Sequence, residues 1–61
     1  MDLFIICRKN GRAIINQEYK NKTRQEAREI VKHYLSSYEG YICTCPTKQE
    51  ALKTIEGING K

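Results

Sequence analysis

Three cysteines and one histidine are the residues of this sequence best suited to hold a metal ion. Cys43 and Cys45 are separated by one residue, so a β-strand would point both sulfur atoms to the same face. Cys7 and His33 would complete a Cys₃His set of the kind that binds zinc. Same-face neighbours on a strand lie about 7 Å apart, however, which is too far for two thiolates on one zinc ion. We therefore expect reduced cysteines packed in the core and no metal site.

The residue types used in acid–base and nucleophilic catalysis are few and dispersed. Asp2 is the only aspartate and His33 the only histidine. No Ser–His–Asp set, paired carboxylates or glycine-rich phosphate loop can be drawn from the order of the residues. A chain of 61 residues is also short for enclosing a ligand cavity of ordinary size. The sequence predicts a protein that is not an enzyme and that carries no cofactor.

Basic residues form the second chemical pattern. Arg24, Arg28 and Lys32 recur every four residues, so a helix would place them on one face, and Lys20 and Lys22 come just before them. Such a row can contact successive phosphates of a nucleic acid, although a solvated helix face has the same pattern. The chain has eleven Lys and Arg against seven Asp and Glu, and this net charge of +4 mildly favours polyanionic partners.

Composition and length indicate one small globular domain. Hydrophobic residues make up 39% of the chain and charged residues 30%, which is typical of a folded protein. The longest apolar run, residues 3–7, is too short to span a membrane or to act as a signal sequence. The odd number of cysteines argues against a disulfide framework. We expect a single domain over residues 1–61, located in the cytoplasm, whose thin core needs help from idealised helices, a metal, disulfides or a second subunit.

A β-hairpin is predicted at the start of the chain. Asn10-Gly11 lies between two apolar runs and favours a type I′ turn, because both central residues of that turn need positive φ. A two-residue turn would set three facing pairs: Lys9 with Arg12, Cys7 with Ile14, and Ile5 with Asn16. We expect strands over residues 2–8 and 12–17, and a third over residues 41–45 that ends at Pro46.

Two helices are predicted from their first turns. Thr23-Arg24-Gln25-Glu26 and Thr47-Lys48-Gln49-Glu50 each match the capping box, in which threonine and glutamate satisfy backbone N–H groups reciprocally. Apolar residues then recur every three or four positions, as on an amphipathic helix. A glycine follows each stripe, so we expect helices over residues 23–38 and 47–56, the second ending in a left-handed cap at Gly57.

These elements predict an α+β fold of order β-β-α-β-α, with a three-stranded, mainly antiparallel sheet of order 2-1-3. The first strand is apolar on both faces, which suits the central position. If both helices pack on one face, the other keeps an exposed apolar patch, and such a patch marks an interface. That patch would comprise Phe4, Ile6, Ala13 and Ile15. If the second helix instead covers the opposite face, the patch disappears and the basic helix face becomes more prominent.

We therefore predict a small non-catalytic protein-binding module, and a homodimer through the sheet face or an edge strand. It would act as a regulator or inhibitor by occupying a surface of a larger protein. Accessory proteins of phages and mobile elements are often small single domains of this kind, and this part of the prediction rests on chain length alone. The alternative is a nucleic-acid-binding protein that uses Lys20, Lys22, Arg24, Arg28 and Lys32. No association with a membrane is predicted.

Overall fold

Five elements follow one another in the predicted order. The computed structural model describes residues 1–60, so residue 61 of the predicted domain lies outside the described residues. The elements are β1 (Leu3–Lys9), β2 (Arg12–Tyr19), α1 (Arg24–Ser37), β3 (Tyr41–Cys45) and α2 (Lys48–Asn59). β1 pairs antiparallel with both other strands, and the sheet order is β2-β1-β3. The α+β class, the element order and the strand order are thus confirmed.

The hairpin turn has the predicted backbone. Asn10 and Gly11 have φ angles of 54° and 80°, the positive values that a type I′ turn requires. The two predicted pairs nearest the turn are present, but the predicted pairing of Ile5 with Asn16 is wrong, since Ile5 faces Gln17. A β-bulge beside Ile5 inserts one extra residue into β2 and shifts the register beyond it.

The start of α1 depends on a capping box at Thr23, and the connection from α1 to β3 depends on a glycine. Thr23 is the N-cap: its hydroxyl accepts the N–H of Glu26 at 3.1 Å, and the Glu26 carboxylate accepts the N–H of Thr23 at 2.9 Å. Gly40, between α1 and β3, has a φ of 94°, and its carbonyl accepts the N–H of Arg8 at 2.7 Å. A Cβ at Gly40 would lie 2.9 Å from the backbone oxygen of Arg8, so this position requires glycine.

α2 is longer than predicted. It runs to Asn59, and its C-cap is Gly60 with a φ of −79°, so the expected left-handed stop at Gly57 is wrong. Glycine permits such a stop without requiring it. Continuing the helix lets Ile58 pack against the core and lets the Asn59 side chain bond to the backbone of Ala13. These contacts explain why the helix does not end at its glycine.

The two helices cover opposite faces of the sheet. On one face α1 packs Tyr34 against Ile5 and Cys7, a set that we call the α1-side core. On the other face α2 packs Ala51 against a second set, the α2-side core, whose sheet residues include Phe4 and Ile6. The central strand β1 is therefore buried on both faces, as its continuous apolar sequence predicts.

The predicted apolar patch is not exposed. Phe4, Ile6 and Ala13 are 4%, 0% and 1% exposed, and Ile15 is half-buried against the same cluster. Of the two arrangements that the sequence left open, the one in which both helices share a face is not observed, because the apolar stripe of α2 lies on this face of the sheet. The alternative arrangement, in which α2 covers the patch, is the one observed.

Candidate protein interface

The five basic residues remain at or near the surface. Lys20, Arg24, Arg28 and Lys32 are exposed, whereas Lys22 is half-buried with its Nζ 5.9 Å from the centre of the Tyr19 ring. Arg24, Arg28 and Lys32 follow one another along α1, as their spacing predicts. The structure therefore keeps the helical row together and turns Lys22 toward an aromatic ring.

Acidic and aromatic side chains adjoin this basic row. Glu26 and Glu29 belong to the same helix and line an open groove of about 330 Å³ between α1 and β2. At the groove the hydroxyl groups of Tyr19 and Tyr34 lie 3.3 Å apart. This hydrogen bond, together with burial, raises the pKa of Tyr34 to about 12. The potential beside α1 is thus mixed in sign, and the tyrosine hydroxyls satisfy each other.

The cysteines and the histidine do not converge. Cys7 belongs to the α1-side core, while Cys45 belongs to the α2-side core with Cys43 packed beside it, so the sheet separates them. His33 is exposed on α1. Within residues 1–60 no group of three or more His, Cys, Asp or Glu residues is arranged to hold a metal ion. Burial raises the pKa of the Cys7 and Cys43 thiols, which favours the protonated form.

The outer edge of β2 is covered by a side chain at one residue, Ala13. Asn59, at the end of α2, accepts the N–H of Ala13 through its Oδ1 at 2.8 Å and donates its Nδ2 to the Ala13 oxygen at 3.0 Å. Both backbone groups of Ala13 therefore point away from β1. The amide of Asn59 replaces one residue of a neighbouring strand, and edge strands are commonly protected by such coverage.

The outer edge of β3 is open along the described chain. Among residues 1–60 only β1 pairs with this strand. Arg8 donates its N–H toward the β3 side, to Gly40, so alternation along β1 turns Ile6 to that side as well. Ile6 faces Cys43, and the backbone groups of Cys43 are thus used inside the sheet. The backbone groups of the next residue, Thr44, accordingly point outward.

The side chains of β3 suit an interface. The strand is Tyr-Ile-Cys-Thr-Cys, without a charged residue, and its first four residues are half-buried. Tyr41 packs on the α1-side core, and Ile42 and Cys43 pack on the α2-side core. The Tyr41 hydroxyl and Thr44 Oγ1 lie 2.9 Å apart, which satisfies both polar groups. Both cores thus extend to this edge and remain partly accessible there.

Sequence reasoning missed the two residues that distinguish the edges. Asn59 lies beyond the expected end of the second helix, and nothing in its neighbourhood indicated a contact with Ala13, which is 46 positions away. Thr44 lies in a strand that was predicted, but its outward direction depends on the pairing register with β1. The absence of charge in residues 41–45 was the one visible signal.

No family model matches the chain, and no match was found among curated proteins or solved structures. None of the helices within residues 1–60 has the length and apolar character needed to cross a membrane.

Proposed function

We propose that the chain is a non-catalytic protein-binding module that pairs its β3 edge with a strand of another protein chain. This proposal is supported by a difference in how the two outer edges of the sheet, those of β2 and β3, are covered. Asn59 covers β2 at Ala13, while β3 has no charge or proline within it, and its one β-bulge lies at Tyr41–Ile42, before Thr44. A proline, Pro46, follows only after the last residue of the strand.

Strand addition combines affinity with modest specificity. Hydrogen bonds between the main chains supply the affinity, and side chains on alternate positions supply the selection. The half-buried Tyr41 on one face and Ile42 on the other would provide the apolar contacts. A module of this kind acts by occupying a surface, and regulation or inhibition of a larger protein is the role that such occupation would serve.

A matched pair of variants at Thr44 tests this function. Thr44→Pro removes the outward N–H, whereas Thr44→Val keeps it and loses only the side-chain hydroxyl. Partners are captured on the tagged protein from a lysate of its own cells and quantified by mass spectrometry, with circular dichroism to check the fold. We expect a partner that the wild type and Thr44→Val retain and Thr44→Pro loses. Equal retention by Thr44→Pro would show that the edge is not the binding site.

The basic row of α1 supports a second candidate, nucleic-acid binding through Lys20, Lys22, Arg24, Arg28 and Lys32. Four of these side chains are exposed while the apolar patch is buried, so the basic face is the more accessible feature. Fluorescence anisotropy with labelled DNA and RNA at low and near-physiological salt tests it. Binding that falls steeply with salt, and that is lost when Arg24, Arg28 and Lys32 are changed to Glu, would support it. No binding at low salt would exclude it.

A further inference from the structure

We infer that the strand received by β3 is β3 of a second copy of this chain, paired antiparallel to form a continuous six-stranded sheet. This inference rests on the proposed function, since it names the partner at the same edge. A register centred on Cys43 sets Thr44 of each copy against Ile42 of the other, and the β-bulge at Tyr41–Ile42 ends the regular alternation at the start of the strand. This register also places Cys43 directly opposite Cys43 of the second copy, because the middle residue of a self-paired antiparallel strand faces itself.

The charges that flank β3 fit self-pairing. Glu39 precedes the strand and Lys48 follows it, and both side chains are exposed. Antiparallel pairing sets the Glu39 end of each strand near the Lys48 end of the other, whereas parallel pairing would set like charges near one another. The strand itself has no charge, so no like charges meet in the middle. The flanking charges of the strand are therefore complementary in the antiparallel orientation, which favours it over a parallel one.

The two cores also fit a second copy. Tyr41 extends the α1-side core to the edge and Ile42 extends the α2-side core, and both side chains are only half-buried in one chain. The two-fold axis of an antiparallel edge contact is perpendicular to the sheet. Both α1 helices then lie on one side and both α2 helices on the other, so each core continues across the contact. A 61-residue chain has little core of its own and gains stability from such continuity.

The net charge of the chain gives the dimer a characteristic salt dependence. Each copy has a net charge of +4, so two copies repel one another at long range. Added salt screens this repulsion more than it screens the short-range contacts at the edge. Dimerisation should therefore strengthen as salt increases, which is opposite to the behaviour of nucleic-acid binding.

Sedimentation equilibrium of the untagged wild type, Thr44→Pro and Thr44→Val over a range of protein concentrations tests the inference. We expect a monomer–dimer equilibrium for the wild type and Thr44→Val and a monomer at every concentration for Thr44→Pro. A cross-link on the wild type provides a test that needs no variant. Diamide, which accepts the two electrons and two protons released by two thiols, should join the copies through Cys43, as peptide mapping by mass spectrometry would show.

Each contrary result has a separate meaning. A wild type that stays monomeric and gives no Cys43 cross-link overturns the second copy as the partner. If a different protein is then captured in a way that depends on the Thr44 N–H, the proposed function survives with another strand at the edge. If no such protein is captured either, both proposals fail. A dimer that persists in folded Thr44→Pro would place the contact elsewhere and overturn the inference.

Discussion

The side chain of Asn59 pairs with both backbone groups of Ala13, at 2.8 Å and 3.0 Å, and so stands in for a neighbouring strand at the edge of β2. At the opposite edge the pairing register turns the backbone groups of Thr44 outward, and no strand within residues 1–60 pairs with them. The fold thus covers the β2 edge at Ala13 and leaves the β3 edge available at Thr44. This difference, rather than an exposed sheet face, is the basis for the proposed interface.

Removing the Asn59 amide should lower the stability of the fold and expose the edge of β2 at Ala13. Asn59→Ala should lower the free energy of unfolding by about 1–3 kcal/mol, because two hydrogen bonds are lost and each contributes roughly 0.5–1.5 kcal/mol. Urea unfolding measures this change. Gln49→Ala, at an exposed position of the same helix, is the control and should change stability by less than about 0.5 kcal/mol. Equal effects of the two substitutions would contradict the role assigned to Asn59.

Two glycines should respond to alanine in opposite directions. Gly40 has a φ of 94°, and a Cβ there would lie 2.9 Å from the Arg8 oxygen, so Gly40→Ala should destabilise by more than about 1 kcal/mol. Gly57 lies within α2, and a Cβ there would meet nothing within 4 Å. Gly57→Ala should therefore stabilise by about 0.5–1 kcal/mol. Thermal unfolding compares them, and a loss of stability in Gly57→Ala would contradict the observed length of α2.

The N-cap of α1 should make stability fall at acidic pH, below the ordinary pKa of a glutamate carboxyl. The pKa of Glu26 lies below its ordinary value, first because its carboxylate accepts the backbone N–H of Thr23 and then through its side-chain hydrogen bond with Thr23. A carboxyl with a lowered pKa in the folded state adds stability above its unfolded pKa and loses it as pH falls through the folded pKa. Glu26→Gln does not titrate, so its stability difference from the wild type should shrink as pH falls through this range. Urea unfolding at several pH values measures it, and a constant difference would contradict this account.

Substitution of the N-cap threonine measures how much this cap contributes to the free energy of unfolding. Thr23→Ala eliminates the acceptor of the Glu26 N–H and should cost about 1 kcal/mol of stability. Thr23→Ser keeps a hydroxyl at the cap and serves as the control, with a much smaller expected change. Circular dichroism during urea unfolding measures both variants. A Thr23→Ser protein as unstable as Thr23→Ala would show that the hydroxyl is not the stabilising group.

The features that were predictable from the sequence are those set by neighbouring residues. The turn at Asn10-Gly11 and the capping box at Thr23 depend on four to six consecutive residues, and both are present. The strand order followed from the apolar character of β1 on both of its faces. In each case short-range chemistry left few alternatives.

The features that were not predictable depend on contacts between distant residues. The bulge beside Ile5 alters the register only after the hairpin has formed, and the end of α2 depends on where Ile58 and Asn59 meet the sheet. The face chosen by α2 follows from packing that a periodic pattern does not determine, since an apolar stripe fits either face of an apolar strand. Because α2 covers the sheet face that the sequence predicted to be exposed, the candidate interface is the β3 edge at Thr44 instead.

Hydrogen exchange at two backbone amides, measured by NMR, tests the central claim most directly. The Ala13 N–H bonds to Asn59 within one chain and should be protected at every protein concentration. The Thr44 N–H should exchange rapidly in dilute protein and become protected as concentration rises and the β3 edges pair. That result would support the edge as the binding site. Rapid exchange at Thr44 at every concentration and with every captured partner, or full protection in the dilute monomer, would contradict it.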